Sequence, residues 1–221
     1  MTAPPENAAP VIEAVAVEIS YRGTTRLGPF DLSVGTGESV AIMGPSGSGK
    51  SSLLRCLTGL QTPSSGSVTL AGHPMSAARL SARAKLRRQF MGLTFQDSDL
   101  LPELTVRENV CILMLIDGVP GHVAAESAQL ALSAVGLEAH GEKFPNELSG
   151  GEAQRAALAR AISRPGVKVL IADEPTASLD RDNVRIVSEL ISELTAAHGL
   201  ATIVATHDDR VAQRCRRTVQ L

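Results

Sequence analysis

Short apolar runs alternate with segments of helical periodicity along most of this 221-residue chain. The runs VIEAVAVEI, ESVAIM, VKVLIA and ATIVAT have the composition of strands, and the segments between them space their apolar residues as helices do. Strands that alternate with helices are typical of α/β proteins with a parallel sheet. The pattern of hydrophobic and polar positions therefore predicts an α/β fold.

The pattern changes between about Asp97 and Leu148, where no strand-like run occurs. TVRENVCILMLIDG predicts one helix that ends near Gly118, and VAAESAQLALSAVG predicts a second with Gly136 as its C-terminal cap. We therefore expect a disordered tail over residues 1–10 and a single domain over 11–221. Within that domain we expect a core of residues 11–96 and 152–221 and a helical subdomain of about 97–151.

Composition excludes several classes of function. A net charge of −2 and 2% aromatic residues provide neither a basic field nor stacking platforms, so no nucleic-acid partner is expected.

Cys56, Cys111 and Cys215 lack metal-binding spacing, which predicts reduced, mostly buried thiols. The longest apolar run, VCILMLI, is too short for a bilayer that requires about 20 residues. A membrane role would therefore need a separate membrane partner.

A glycine-rich loop, GPSGSGKS at residues 44–51, follows the apolar run SVAIM and precedes a helical segment. In this context the pattern G-x-x-x-x-G-K-[ST] indicates a phosphate-binding loop, because its glycines let successive N–H groups face a phosphate chain. Lys50 would reach the terminal phosphates, and Ser51 is placed to bind Mg²⁺. The alternative is an ordinary glycine-rich turn, and the flanking elements favour binding of a nucleoside triphosphate.

Polar residues also end three strand-like runs. VLIADEP ends in Asp173, which would hold Mg²⁺, and Glu174, which would orient or polarise an attacking water. ATIVATHDD reaches His207, and MGLTF is followed by Gln96; either side chain could sense the γ-phosphate, Mg²⁺ or the water. Taken alone, these acids are ordinary turn residues and the histidine a structural one. A phosphate loop in the same chain favours the functional interpretation, since ligands bind at the carboxyl ends of parallel strands.

A helix with a bare first turn is predicted over NELSGGEAQRAALARA, residues 146–161. Ser149 is a good N-cap, but Gly150 and Gly151 each cost roughly 0.5–1 kcal/mol relative to Ala inside a helix. A capped surface helix leaves the glycine pair unexplained. A helix start without side chains also lets backbone N–H groups approach an anion closely, and this is the second interpretation.

Together the motifs resemble a known family. GPSGSGKS, the glutamine of TFQ, LSGGE, LIADEP, ASLD and ATHD occur in the order and approximate spacing of the ATP-binding-cassette (ABC) ATPases, and the resemblance covers about Val11 to Val219. It implies a P-loop NTPase fold with an ABC-type RecA-like core, a mixed sheet and an inserted helical subdomain. RRQFMGLTFQDSDLLPELTVRENV and PNELSGGEAQR most resemble the subunits that serve lipoprotein-release, macrolide-export and cell-division permeases.

The resemblance implies that two cassettes face each other head to tail and trap two ATP molecules with Mg²⁺. The ATP-binding residues of one copy would then be Tyr21, which would stack on adenine, and Gly44, Pro45, Ser46, Gly47, Ser48, Gly49, Lys50, Ser51 and Ser52. Mg²⁺ would be held by Ser51, Gln96 and Asp173, and hydrolysis would involve Glu174, His207 and Gln96.

Residues of the second copy would complete each site. By the same resemblance, Ser149, Gly150 and Gly151 would contact the γ-phosphate of the ATP held by the partner, and a bulky side chain at either glycine would hold the subunits apart. Asp180 of ASLD would couple the two sites across the interface.

These residues predict an ATP-hydrolysing motor subunit that drives a separate transmembrane permease from the cytoplasmic face of the membrane. Two alternatives remain open at this point. The ATP cycle could regulate a membrane partner mechanically without transport, as in the cell-division relatives, or the chain could be a soluble cassette ATPase that acts on DNA or ribosomes.

Overall fold

The computed structural model describes residues 9–21, 25–45 and 47–221, and it describes the backbone alone at residues 21, 25 and 26. Residues 1–8 of the predicted tail, Ser46 and the side chain of Tyr21 lie outside this description. The elements follow in chain order as β1 (Ile12–Tyr21), β2 (Thr25–Val34), β3 (Ser39–Met43), α1 (Lys50–Leu57), β4 (Ser65–Leu70), β5 (His73–Pro74), α2 (Leu80–Phe90), β6 (Met91–Thr94), α3 (Val106–Ile116), α4 (Gly121–Ala134), a 3₁₀ turn (Pro145–Glu147), α5 (Gly150–Ile162), β7 (Val169–Asp173), α6 (Arg181–His198), β8 (Ala201–Ala205), α7 (Asp209–Ala212) and β9 (Arg217–Gln220).

The described strands form two sheets. One is antiparallel with the order β2-β1-β4-β5, and the other is parallel with the order β6-β7-β8-β3-β9. Every residue of β3 and β8 is buried, as expected for central strands that are covered on both faces. The α/β class is confirmed, and the antiparallel and parallel strands of the expected mixed sheet form separate layers.

A hydrophobic core fills the space between the two sheets, and α1 lies within it. Ile12 and Ile19 of β1, Leu53 and Leu57 of α1, and Ile203 of β8 all belong to this core. The helix contacts both β1 and the parallel strands β7 and β8. Because α1 packs between the antiparallel and the parallel strands, these strands form two separate sheets.

A second core lies on the other face of the parallel sheet and contains α3, α4, α5 and α6. Residues 95–168, all of them described, contain no strand. Both predicted helices of this region are present: α3 is capped by Thr105 and precedes Gly118, and α4 precedes Gly136. Both glycines have positive φ, the conformation that favours glycine after a helix.

The three cysteines are free, as predicted. Cys56 and Cys111 are buried and Cys215 is partly buried. Burial raises the pKa of Cys56 and of Cys215 to about 11, so these thiols are protonated at neutral pH. Within the described ranges, none of the helices combines the length and the apolar character that crossing a bilayer requires.

Candidate functional site

The glycine-rich loop lies at the carboxyl end of β3 and leads into α1. Gly47 and Gly49 have φ of 84° and 105°, so residues with a side chain would be strained at both positions. A Cβ added to Gly44 would lie 2.5 Å from Oγ of Ser48, which shows how closely the loop closes on itself. The Ser48 hydroxyl is buried and has no hydrogen-bond partner among the described residues. Such an enclosed, unpaired hydroxyl fits a loop that binds an anion.

Lys50, the first residue of α1, directs its side chain back into this loop. Its Nζ donates to the carbonyl oxygens of Gly44 at 2.6 Å and of Pro45 at 3.1 Å. The ammonium group therefore lies at the loop carbonyls, beside the N-terminus of a helix whose dipole also favours negative charge.

Asp173 is the last residue of β7, and the structure places it beside α1. Burial raises the pKa of Asp173, and the neighbouring Glu174 charge acts in the same direction. A hydrogen bond from the Ser51 hydroxyl and the charges of Lys50 and Arg55 act in the opposite direction. Two of the three residues predicted to bind Mg²⁺, Ser51 and Asp173, are thus in contact.

Glu174 and His207 also lie together, although they follow different strands. Nδ1 of His207 is 2.9 Å from Oε2 of Glu174, and the histidine is 67% exposed while the glutamate is 17% exposed. The backbone of Glu174 has φ of 49°, a conformation that costs energy for a residue with a side chain, and its N–H donates to the Ala205 carbonyl at 2.8 Å. Glu174 is therefore held with a strained backbone at the carboxyl end of β7, and such strain is typical of functional sites.

Gln96 follows β6 and is exposed. It lines a cavity of about 210 Å³ together with Gly150, Gln154, Pro175 and Leu179. The cavity thus brings Gln96 near the start of α5 and next to the residue after Glu174.

The glycine-bearing helix has the predicted N-cap, Ser149, but it begins at Gly150 and not at residue 146, because Pro145–Glu147 form a separate 3₁₀ turn. Ser149 caps α5: its Oγ accepts from the Glu152 N–H at 3.3 Å and donates to Oε2 of Glu152 at 2.7 Å, and its own N–H donates to the same oxygen at 2.7 Å. Gly150 is exposed, whereas Gly151 is buried. A Cβ added to Gly151 would overlap Oδ1 of Asn183, so a larger residue at this position would have to displace a side chain of the same subunit.

Asn183 was missed by the sequence analysis, and it links two predicted site residues. It lies in the first turn of α6, which Asp180 caps: the Asn183 N–H and its Nδ2 donate to the Asp180 carboxylate at 2.9 and 2.7 Å. These hydrogen bonds, with the backbone N–H first, lower the pKa of Asp180. The spacing of three residues after an Asp N-cap predicts the bond to Asp180, but nothing in the sequence predicts the approach to Gly151.

Comparison with known proteins identifies the family to which this chain belongs. The family model of the ABC transporter matches residues 27–177. The chain belongs to the ABC transporter family. The lipoprotein-releasing system ATP-binding protein LolD of Xanthomonas euvesicatoria pv. vesicatoria (strain 85-10) is 45% identical over 222 aligned residues, which cover 98% of this chain and 90% of that protein.

Solved structures agree with this membership in the ABC family. A dimeric, post-hydrolysis structure of the ATP-binding cassette MJ0796 with ADP and Pi bound has a TM-score of 0.84 at 32% identity, covering 95% of this chain and 94% of that one. The protein cbiO1 from Clostridium perfringens, part of the ABC transporter complex cbiONQ, has a TM-score of 0.88 at 30% identity and covers 96% and 85%. The chain is an ATP-binding subunit and ATPase of an ABC transporter, as its motifs predicted.

Proposed function

We propose that two copies of this chain bind head to tail around two MgATP and thereby drive a separate transmembrane permease. The observation that carries this proposal is the division of the ATP-binding motifs between the two cores. α1, which follows the phosphate loop, belongs to the core between the sheets, and α5 belongs to the core on the other face of the parallel sheet. The MJ0796 cassette, which is dimeric with ADP and Pi bound, supports the same arrangement here.

In each copy the phosphate loop holds the triphosphate. The backbone N–H groups of the loop after Pro45, residues 46–49, bind the phosphates, and Ser52 adds a contact. Tyr21 stacks on adenine, and Lys50 leaves the loop carbonyls to bind the terminal phosphates. Ser51 and Asp173 hold Mg²⁺, with Gln96 as a further ligand. A hydroxyl and one carboxylate fit a Mg²⁺ that takes its other ligands from phosphate and water. Bound there, Mg²⁺ offsets phosphate charge.

Hydrolysis depends on the pair formed by Glu174 and His207. The Glu174 carboxylate orients a water molecule for attack on the γ-phosphorus and accepts its proton, while the bond to the β-phosphate oxygen breaks and ADP leaves. His207, whose Nδ1 lies 2.9 Å from that carboxylate, holds Glu174 and turns its exposed ring toward the γ-phosphate. Gln96 completes the shell around the γ-phosphate, and Lys50 stabilises charge in the transition state.

The second copy closes the site with its α5. The Ser149 hydroxyl and the N–H groups of Gly150 and Gly151 bind the γ-phosphate of the partner's ATP, aided by the helix dipole. Asp180 couples the two sites. The helical segment of about residues 97–151 passes opening and closing to the permease on the cytoplasmic face. Since the LolD relatives are named for a lipoprotein-releasing system, we propose a permease of that kind.

The test is the substitution Glu174→Gln, which keeps the shape of the side chain and removes the base. We expect the variant to bind ATP normally and to accumulate as an ATP-bound dimer, measured by light scattering after size exclusion. Addition of EDTA should dissociate this dimer if Mg²⁺ contributes as proposed. Hydrolysis at the parental rate would show that Glu174 does not have this role.

Transport by the ATPase together with its permease in lipid vesicles distinguishes transport from mechanical regulation. The expected result is ATP-dependent release of a membrane-embedded lipoprotein, and Glu174→Gln should abolish it. ATP hydrolysis without any movement of lipoprotein would instead support regulation of the membrane partner.

A further inference from the structure

A histidine outside the hydrolytic site lies against the cap of α5. His140 belongs to the segment between α4 and α5, and its Nε2 lies 3.0 Å from Oε1 of Glu152. Its backbone is fixed in turns, because its N–H donates to the Leu137 carbonyl at 2.9 Å and its own carbonyl accepts from the Lys143 N–H at 3.1 Å. The ring is therefore held in place from the backbone side as well as by Glu152.

The direction of this hydrogen bond follows from the state of Glu152. The Ser149 hydroxyl, the Ser149 N–H and His140 together hold the pKa of Glu152 at about 2, so it is a carboxylate at neutral pH. A carboxylate only accepts hydrogen bonds, and Nε2 of His140 must carry the hydrogen. Nδ1 of the same ring is buried without a hydrogen-bond partner in the described part of the chain. The bond to Glu152 is thus the interaction that orients the ring.

The two oxygens of Glu152 have different partners. Oε1 accepts from His140, while Oε2 accepts from both the N–H and the hydroxyl of Ser149, each at 2.7 Å. A hydroxyl that donates to Glu152 must redirect its hydrogen before it can donate to a phosphate. The position of the Glu152 carboxylate therefore determines the orientation of the Ser149 hydroxyl. His140 fixes that position through the other carboxylate oxygen, Oε1.

We propose that His140 is a positioning residue for the ATP-contacting serine: its Nε2–H anchors Glu152 so that Ser149 and the first N–H groups of α5 face the ATP held by the partner subunit. This inference rests on the proposed function, in which α5 contacts ATP only within the dimer. The inference predicts that His140 affects ATP-dependent dimerisation but not the binding of nucleotide to the phosphate loop of its own chain. These two properties can be measured separately.

The test uses Glu174→Gln as the parent, because blocked hydrolysis lets the ATP-bound dimer accumulate. Light scattering gives the ATP concentration for half-maximal dimerisation, ADP titration gives nucleotide affinity in the monomer, and thermal unfolding reports the fold. The added substitutions are His140→Leu, which removes the donor, and His140→Gln, which keeps one. The control is His122→Leu, at an exposed histidine in the first turn of α4.

Loss of a hydrogen bond to a charged group should raise the ATP concentration for dimerisation about 10-fold in His140→Leu. ADP affinity should stay within about 2-fold, since the phosphate loop is unchanged, and His140→Gln should lie within about 3-fold of the parent. His122→Leu should match the parent. In a Ser149→Ala background the effect of His140→Leu should be smaller, because part of it is exerted through the Ser149 hydroxyl.

Several results would overturn the inference. These are parental dimerisation in His140→Leu, an equal loss in His140→Gln, a loss of ADP affinity similar to the loss of dimerisation, or an undiminished effect of His140→Leu in the Ser149→Ala background. If the parent itself stays monomeric with saturating MgATP, the proposed function fails instead, and the two failures are therefore distinguishable.

Discussion

Asp173 and Glu152 are carboxylates in two different halves of the proposed ATP site, and their surroundings shift their pKa in opposite directions. Burial at the end of β7 raises the pKa of Asp173. At the start of α5, hydrogen bonds from Ser149 and His140 lower the pKa of Glu152 to about 2. We call residues 44–52, 173–174 and 207 the hydrolytic half, and residues 140, 149–152 and 180–183 the signature half.

The difference shows that the hydrolytic half lowers the stability of the fold, whereas the signature half contributes to it. The hydrolytic half contains a partly buried carboxylate and a strained Glu174 backbone, and both cost folding energy. The signature half consists of two helix caps, and the hydrogen bonds of Ser149 and Asp180 that form them also stabilise the fold. Substitutions should therefore separate activity from stability in the first half and couple them in the second.

The largest expected effect is that of Asp173→Asn on hydrolysis. We expect ATP turnover to fall about 100-fold or more, because a charged Mg²⁺ ligand is lost. The amide avoids the burial cost of the carboxylate, so the melting temperature should rise by about 1–3 °C. Turnover and differential scanning fluorimetry measure the two effects. A clear drop in melting temperature would contradict the contrast between the halves.

Gly151→Ala should have the next largest effect, on stability. The new Cβ would overlap Oδ1 of Asn183 and push this side chain away, so that Nδ2 of Asn183 loses its hydrogen bond to Asp180. This displacement should lower the unfolding free energy by about 1–3 kcal/mol. Chemical denaturation measures this cost, and Asn183→Ala in the same chain should recover part of it.

The matched control is Gly150→Ala, where the added Cβ would lie 3.5 Å from Cδ2 of Leu179, an ordinary contact. It should leave stability unchanged or raise it by up to about 1 kcal/mol, because Ala favours helix. If both alanine variants lose equal stability, close approach of Asn183 does not explain Gly151.

Ser149→Ala removes a helix cap and should lower the unfolding free energy by about 1 kcal/mol. Thr105→Ala removes the corresponding cap of α3, which has the same capping box with Glu108. The two variants should lose similar stability, but only Ser149→Ala should weaken ATP-dependent dimerisation in the Glu174→Gln background. Equal dimerisation in both would mean that Ser149 is only a cap.

The smallest effect is a pH dependence of stability. The pKa of Glu152 is lowered from 4.5 to about 2, so its carboxylate stabilises the fold fully above about pH 4.5, and this stabilisation is lost as the pH falls toward 2. The unfolding free energy of the wild type minus that of Glu152→Gln should therefore shrink as the pH falls below about 4.5.

Asp173 should behave with the opposite sign. Because its pKa is raised above 3.8, the folded state binds more protons than the unfolded state, and the stability difference between the wild type and Asp173→Asn should grow more favourable to the wild type as the pH falls. Parallel pH profiles for the two substitutions would contradict the comparison.

The hydrolytic half could be predicted almost entirely from the sequence. Each of its motifs is a short contiguous stretch, and each follows an apolar run that forms a parallel strand, so the position of Lys50, Asp173 or His207 follows from the strand before it. The helices α3 and α4 were predictable for a similar reason, since capping residues and glycines mark their ends.

The signature half could be predicted only in part. Ser149 and Asp180 have recognisable cap positions, but His140 reaches Glu152 only through the path of the segment before α5, and Asn183 reaches Gly151 only because α6 packs against α5. The separation of the strands into two sheets depends likewise on the core around α1. Such contacts depend on tertiary packing, which local patterns do not encode.

The place of Asn183 has a mechanical consequence. Its side chain lies against Gly151, and its backbone N–H and Nδ2 both donate to Asp180, so the start of α5 cannot move toward α6 without displacing the residue that holds the Asp180 cap. We therefore expect a displacement of α5 toward α6 to be transmitted through Asn183 to Asp180 in the same subunit.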